Sequence, residues 1–217
     1  MTATADLRHE YALASRGFTR IAGLDEAGRG AWAGPVVAGA VILPLDRFDL
    51  AHVLHGVNDS KQLTPAEREA LLPVIVETAI AVGVGHAAQD EIDALGIVPA
   101  TRQAMRRALD ALAVAPDALL VDGRALPAFA LPCLAMNRGD QQSLSIAAAS
   151  IVAKVTRDRF MDSLDEVFPQ YGFREHKGYG TPLHQGALRH FGPCAAHRLT
   201  FAPVRALLPE TEEQPTP

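Results

Sequence analysis

The chain of 217 residues is 48% hydrophobic and 21% charged, which excludes an intrinsically disordered protein and gives length for one domain with a sizeable core. Its net charge of −5 counts against a protein that coats nucleic acid through a broad basic surface, while leaving room for a local basic groove beside a carboxylate-held cation. Two cysteines, Cys133 and Cys194, cannot build a disulfide framework, no apolar run is long enough for a bilayer, and the opening MTATADLRHEYALASRG lacks a basic-then-apolar leader, so a cytoplasmic protein without membrane contact is expected.

In chain order, the residues up to Arg16 suit a short helix. FTRIAGLD and GPVVAGAVIL are apolar, partly β-branched runs bounded by glycine and proline, and predict two strands. TPAEREALLPVIVETA starts a helix with Thr64 as N-cap, Pro65 in the first turn and Glu67 closing a capping box, and Pro73 is expected to interrupt or kink it. AIAVGVGHA predicts a third strand. A helix from about Pro99 gathers Ala104, Met105, Ala108, Leu109 and Leu112 on one face, with Arg102, Arg106 and Asp110 on a solvated face opposite. DALLVDG predicts a short buried strand ending in Asp122, LPCLAM a weaker one, and Ser143 to about Glu166 a long helix; TPLHQGALRHF adds small helices near the C-terminus. Alternating β and α elements of this kind indicate an α/β domain with a mixed sheet.

GLDEAGRGAWAGP, residues 23–35, raises the functional question: the carboxylates Asp25 and Glu26 end an apolar strand and a glycine-rich stretch follows. A dinucleotide loop is excluded by context, because Gly28, Gly30 and Gly34 run into Pro35 and a strand, not into the helix that would hold a pyrophosphate. An ordinary turn fits these residues taken alone. Asp122 at the end of another strand and Asp140 just ahead of the long helix change the balance, since four acids ending successive core elements make an oxygen-ligand set for Mg²⁺ or Mn²⁺. Neighbours on a regular strand point to opposite faces, so Asp25 and Glu26 can share a metal only if the strand ends or bulges at Glu26, which is expected. His190, Cys194 and His197 offer zinc-type ligands, but a fourth ligand is missing and ordinary surface or groove histidines are the favoured reading.

GLDEAGRGAWAGPVVAGAVIL, NDSKQLTPAER, LLVDG, SIAAASIVAKVTRD, FPQYGFREHKGYGTPLH and HRLTFAPV resemble, in order and spacing, the bacterial ribonuclease HII family, from about Ile21 to Val204. The resemblance implies a ribonuclease H-like fold, a mixed central β-sheet flanked by helices with small C-terminal helices. It implies an endoribonuclease that cuts the RNA strand of RNA–DNA hybrids and single ribonucleotides in duplex DNA, leaving 5′-phosphate and 3′-hydroxyl ends. On that basis residues 1–208 are one catalytic domain, with a core at 17–166 and a C-terminal helical substrate-binding part at 167–208, and 209–217 is a disordered tail. The related ribonuclease HIII carries a long N-terminal extension, whereas only about 20 residues precede the first strand here.

The resemblance also implies roles. Asp25, Glu26, Asp122 and Asp140 stand where the family has its four catalytic, metal-binding acids. Gly28, Arg29 and Gly30 match the loop whose backbone meets the ribonucleotide 2′-OH, a group that both donates and accepts. Tyr179 of HKGYG matches the tyrosine that stacks at the RNA-to-DNA junction, and Ser60, Lys61, Lys154 and Arg157 fall where phosphate contacts are expected. Read without the family, Tyr179 is a packed or surface tyrosine, and Lys154 and Arg157 are a solvated pair unless they border the groove. Arg138 where lysine is common, Ala147 for a frequent serine and Trp32 in the glycine loop are departures, none at an acid. A monomer is expected. The rival readings are a non-catalytic nucleic-acid-binding protein on the same fold and a related nuclease acting on DNA junctions. Retention of all four acids argues against the first; the Gly-Arg-Gly loop and Tyr179 argue against the second.

Overall fold

A computed structural model of the protein describes residues 5–123 and 129–208; the tail predicted over 209–217 lies outside the described residues. Chain order gives helix α1 (Arg8–Ala14), strands β1 (Ile21–Ala27) and β2 (Val36–Ile42), helices α2 (Leu50–Val53) and α3 (Pro65–Thr78), then β3 (Ala81–Ala87). Helices α4 (Gln89–Leu95) and α5 (Ile97–Asp110), strands β4 (Ala118–Asp122) and β5 (Cys133–Met136), and the long α6 (Leu144–Val167) follow. Short helices α7 (Phe173–His176), α8 (Pro182–Phe191) and α9 (Ala202–Arg205) complete the described chain. The strands form one sheet in the order β3-β2-β1-β4-β5. β1 pairs antiparallel with β2 and parallel with β4, so the sheet is mixed, as expected. No described helix is long and apolar enough to cross a membrane.

The predicted capping box is present: Glu67 N–H donates to Thr64 Oγ1, and the Glu67 carboxylate accepts from Thr64 N–H. Helix α3 runs through Pro73 where an interruption or kink was expected. Ile75, beyond the proline, is fully buried in the cluster shared with α6, and that packing holds the last turn in place although Pro73 has no amide to donate.

Helices α5 and α6 cover opposite faces of the sheet. Ala104, Met105 and Ala108 of α5 pack on Leu24, Ala38 and Ala40, while Ala148, Ile151 and Val152 of α6 join Val41 and Leu43 on the other face. Two strand glycines bring α6 directly onto the backbone: a Cβ at Gly23 would stand 2.2 Å from the Ser145 carbonyl carbon, and one at Gly39 would stand 2.4 Å from the Ala149 oxygen. The helix thus runs along β1, from Ser145 beside Gly23 to Arg157 beside Gly28. Its N-terminal end carries Asp140 toward the ends of β1 and β4. Its C-terminal half supports α7, α8 and α9 through a cluster of Met161, Tyr171, Phe173, Leu188 and Val204.

Candidate active site

Asp25 lies in the C-terminal half of β1 and Asp122 at the end of the adjacent parallel strand β4, and Asp140 comes from the 3-10 turn Gly139–Gln141 ahead of α6. One carboxylate oxygen from each lies within 4.8 Å of the other two. Asp25 is 3% exposed and Asp140 2% exposed. The turn is fixed to β4 by Gly139 N–H donating to Asp122 Oδ1 at 2.6 Å. Burial, and then repulsion from Glu26, Asp122 and Asp140, holds the Asp25 carboxyl well above the usual carboxylate range. Burial also pushes Asp140 up to about 6, against the pull of Lys61, whose ammonium lies 3.5 Å from Asp140 Oδ2. Three such carboxylates, with one exposed lysine as counter-charge, form a set that a divalent cation would neutralise.

Glu26 is placed differently from the sequence expectation. No bulge or strand end occurs there: β1 stays in regular register through Glu26 opposite Ala38 and Ala27 opposite Val37. The alternation of the strand therefore keeps Glu26 out of the mutual set of three aspartates. Its Oε1 accepts from Arg29 at 3.1 Å, and its Oε2 is buried without a hydrogen-bond partner. Burial raises its pKa against the opposing effect of Arg29, and the Asp122 charge raises it further. A buried carboxylate oxygen without a donor beside a cluster of acids is satisfied by a cation, so the four acids fit a divalent-metal site with Glu26 at its edge.

The glycine loop is held from beneath by two arginines. Arg198, fully buried, donates to the carbonyls of Gly28, Arg29 and Gly34 at 2.8–3.0 Å. Arg157, equally buried, donates to those of Ala33 and Pro35. Gly28 has φ +95°, and a Cβ there would stand 1.9 Å from Arg157 Nε; Gly30 is not in the positive-φ region and has nothing within 4 Å of a Cβ position. The loop also bonds to the segment carrying Tyr179, through Trp32 N–H to the Gly178 carbonyl at 2.8 Å. The Trp32 ring covers Gly180, where a Cβ would meet it at 2.2 Å.

Tyr179 is 37% exposed, with its ring centroid 5.3 Å from the Arg157 guanidinium carbon. Its backbone is held by a chain of histidines. Cys194 N–H donates to His197 Nδ1 at 3.0 Å, leaving the His197 proton on Nε2, directed at His184 Nε2 at 3.0 Å. His184 then carries its proton on Nδ1, donated to the Tyr179 carbonyl at 3.0 Å. Burial lowers both His184 and His197 to about 4, so the chain is neutral. Cys194 and His197 are thus part of this relay, and among the described residues they join no metal-ligand cluster.

The four polar residues singled out for phosphate contact divide. Lys61, with its side chain 73% exposed, stands at the acid cluster. Ser60 is buried, its N–H donating to Ser150 Oγ and its carbonyl accepting from Arg68, so its side chain does not line an open groove. Lys154 is half-buried and paired with Asp158. Arg157 has all its donor groups directed at backbone carbonyls inside the protein and is corrected from a surface phosphate contact to an internal support. Arg198 was missed altogether: HRLTFAPV marks the segment, but only the return of the C-terminal chain beneath the glycine loop explains why an arginine stands there.

The Ribonuclease HII family model matches residues 22–204. A ribonuclease HII of Chloroflexus aurantiacus is 54% identical over 208 residues, covering 96% of this chain and 98% of the relative. The crystal structure of ribonuclease H2 from Pyrococcus horikoshii superposes with a TM-score of 0.73 at 27% identity, covering 87% of this chain and 96% of the other. Bst-RNase HIII in complex with Mn²⁺ shares the fold, with a TM-score of 0.64 at 20% identity over 86% of this chain and 68% of that one. Match length, identity and the geometry of the acids agree, and the chain belongs to the ribonuclease HII family.

Proposed function

We propose that Asp25, Asp122 and Asp140, with Glu26 at the edge, hold the divalent cations with which this ribonuclease cuts its substrate. The activity is that of the family: endonucleolytic hydrolysis of the RNA strand of RNA–DNA hybrids and of single ribonucleotides embedded in duplex DNA, leaving 5′-phosphate and 3′-hydroxyl ends. The observation that carries the reading is the convergence of three carboxylates, two of them almost wholly buried, from two adjacent parallel strands and the turn ahead of α6. When bound, Mg²⁺ or Mn²⁺ supplies an activated water at neutral pH and charge stabilisation at the leaving oxygen.

The protein's own groups do the rest. Asp25, within 4.8 Å of both Asp122 and Asp140, would be the shared ligand, and the Gly139 bond holds Asp122 in place. Lys61 offers an ammonium to the phosphate beside Asp140. Of the Gly28-Arg29-Gly30 backbone, Gly30 is the exposed part that a sugar can approach, because nothing stands within 4 Å of a Cβ position there, while Arg198 holds the Gly28 and Arg29 carbonyls from beneath. Donor and acceptor groups presented this way recognise a 2′-OH without reading the base. Tyr179 offers a half-exposed ring for the deoxynucleotide that follows, and residues 167–208 form the part of the domain that presents it. A monomer in the cytoplasm, acting on nucleic acid containing RNA, is the setting the reading implies; Cys133 and Cys194 are free thiols.

The test is cleavage of three duplexes: one ribonucleotide in DNA, an RNA–DNA hybrid, and all DNA. Cutting of the first two with 5′-phosphate ends supports the reading. Cutting of the all-DNA duplex, or of none, contradicts it.

A further inference from the structure

The loop at 28–35 and the segment carrying Tyr179 are distant in sequence, yet one buried side chain bonds to both. Arg157 donates from Nε to the Pro35 carbonyl at 3.0 Å, from Nη2 to Ala33 at 3.2 Å, and from Nη1 to Lys177 at 2.9 Å. The same guanidinium lies under the Tyr179 ring, and Gly28 rests on its Nε, leaving no space for a methyl group. Arg198 differs in this respect: its bonds reach carbonyls of the first loop only.

A cation is a costly filler at this position. Arg157 is 0% exposed, no carboxylate among the described residues binds it directly, and its neighbour Asp158 is engaged by Lys154 and Arg68. A leucine or methionine would fill the same volume without desolvating a charge. What the guanidinium adds is a rigid planar fork that bonds to three carbonyls in two segments while presenting a face to an aromatic ring, which neither an aliphatic chain nor the single point of an ammonium can reproduce.

We infer that Arg157 is a positioning residue that couples the two substrate-reading segments, so that a sugar seating on the glycine loop and a nucleotide stacking on Tyr179 are registered together. The inference rests on the reading above, that these two segments meet the ribonucleotide and the nucleotide following it. Coupling of this kind concentrates recognition on the junction between RNA and DNA, where both contacts form at once. On a continuous hybrid no junction is read, and the coupling contributes little.

The experiment is a double-mutant cycle with Arg157→Lys, Tyr179→Ala and both together, measured as kcat/KM on the single-ribonucleotide duplex and on a long hybrid. Tyr179→Ala alone is expected to cost about tenfold to a hundredfold on the first substrate. Arg157→Lys is expected to cost it about tenfold, and to cost the long hybrid less than about threefold. In the Tyr179→Ala background the same lysine is expected to cost the first substrate less than about threefold, since the partner it aligns is gone. Fully additive losses, or equal losses on both substrates, overturn the proposal. If Tyr179→Ala is silent on the first substrate, the platform reading fails, and the coupling with it; if Tyr179→Ala is damaging and Arg157→Lys is not selective, only the coupling fails.

Because a buried lysine can unfold the protein, a second measurement leaves Arg157 in place. Hydrogen exchange of the Asp25→Asn protein is compared with the single-ribonucleotide duplex and with all-DNA duplex. Protection that rises together in 28–35 and 177–181 with the ribonucleotide supports the coupling. Protection confined to one segment, or to neither, overturns it.

Discussion

Gly28 and Gly30 stand two residues apart in a loop proposed to read a sugar, and alanine at the two positions should fail for different reasons. At Gly28 the backbone has φ +95° and a Cβ would lie 1.9 Å from Arg157 Nε. An L-residue in left-handed backbone costs about 1–2 kcal/mol. Displacing Arg157 from a charged hydrogen bond adds about 1.5–3 kcal/mol. Together these are about 2.5–5 kcal/mol, or roughly 5–20 °C in melting temperature for a domain of this size. At Gly30 there is no positive φ and no atom within 4 Å of the added methyl, so stability should stay within about 0.5–1 kcal/mol of wild type. The open space at Gly30 is where the sugar is proposed to approach, so Gly30→Ala should still cut cleavage at a single ribonucleotide by about tenfold or more, the ~1.4 kcal/mol of a crowded contact. Thermal denaturation and steady-state kinetics on the same preparations separate the two effects. A stable, fully active Gly30→Ala would refute the sugar-reading role. A Gly28→Ala protein with wild-type melting would refute the packing of the loop on Arg157.

Other substitutions probe the remaining parts of the site. Asp25→Asn removes one of several mutually repelling buried acids, so without metal the variant should melt higher than wild type, and Mg²⁺ should raise the melting temperature of wild type more than that of the variant; a lower melting temperature would contradict the repulsion. Tyr179→Phe should retain most activity at a single ribonucleotide while Tyr179→Ala loses about tenfold to a hundredfold, as stacking needs the ring and not the hydroxyl; equal losses would point to hydroxyl chemistry. His184 and His197 are held at about 4 in the fold against 6.5 in the unfolded chain, so only the unfolded state takes up their protons across that window. Stability should therefore fall as pH drops from 6.5 toward 4, by up to ~1.4 kcal/mol per pH unit for each histidine, and calorimetry of His197→Gln should show a shallower slope; an unchanged slope would remove the histidines from the account.

The elements legible in the sequence were those with local signals. The strands flanking Asp25, the capping box at Thr64 and the inward face of α5 follow from period and cap chemistry, and the acids at strand ends were visible because each closes an apolar run. The expected bulge at Glu26 came from requiring both neighbouring acids to face one point. The strand stays regular, and Glu26 lies at the edge of the cluster with a buried oxygen that no group among the described residues satisfies. Arg157 and Arg198 were illegible for a different reason. At i+3 from Lys154, Arg157 has the spacing of a solvated pair, and its burial depends on residues 33–35 and 177–179 closing over it from elsewhere in the chain. The histidine relay is likewise assembled from α8 and the turn at 194–197, and nothing in local pattern marks it.

The central claim is that the buried aspartates act through a divalent cation to cut at a ribonucleotide, and single-turnover cleavage of a duplex carrying one ribonucleotide tests it most directly. Wild type with Mg²⁺ or Mn²⁺ should cut at that nucleotide and spare the all-DNA control. Excess EDTA should abolish cutting, and Asp122→Asn should slow it by about a thousandfold or more, while its folded signal persists. Cleavage at the wild-type rate by Asp122→Asn, or in EDTA, would contradict the account.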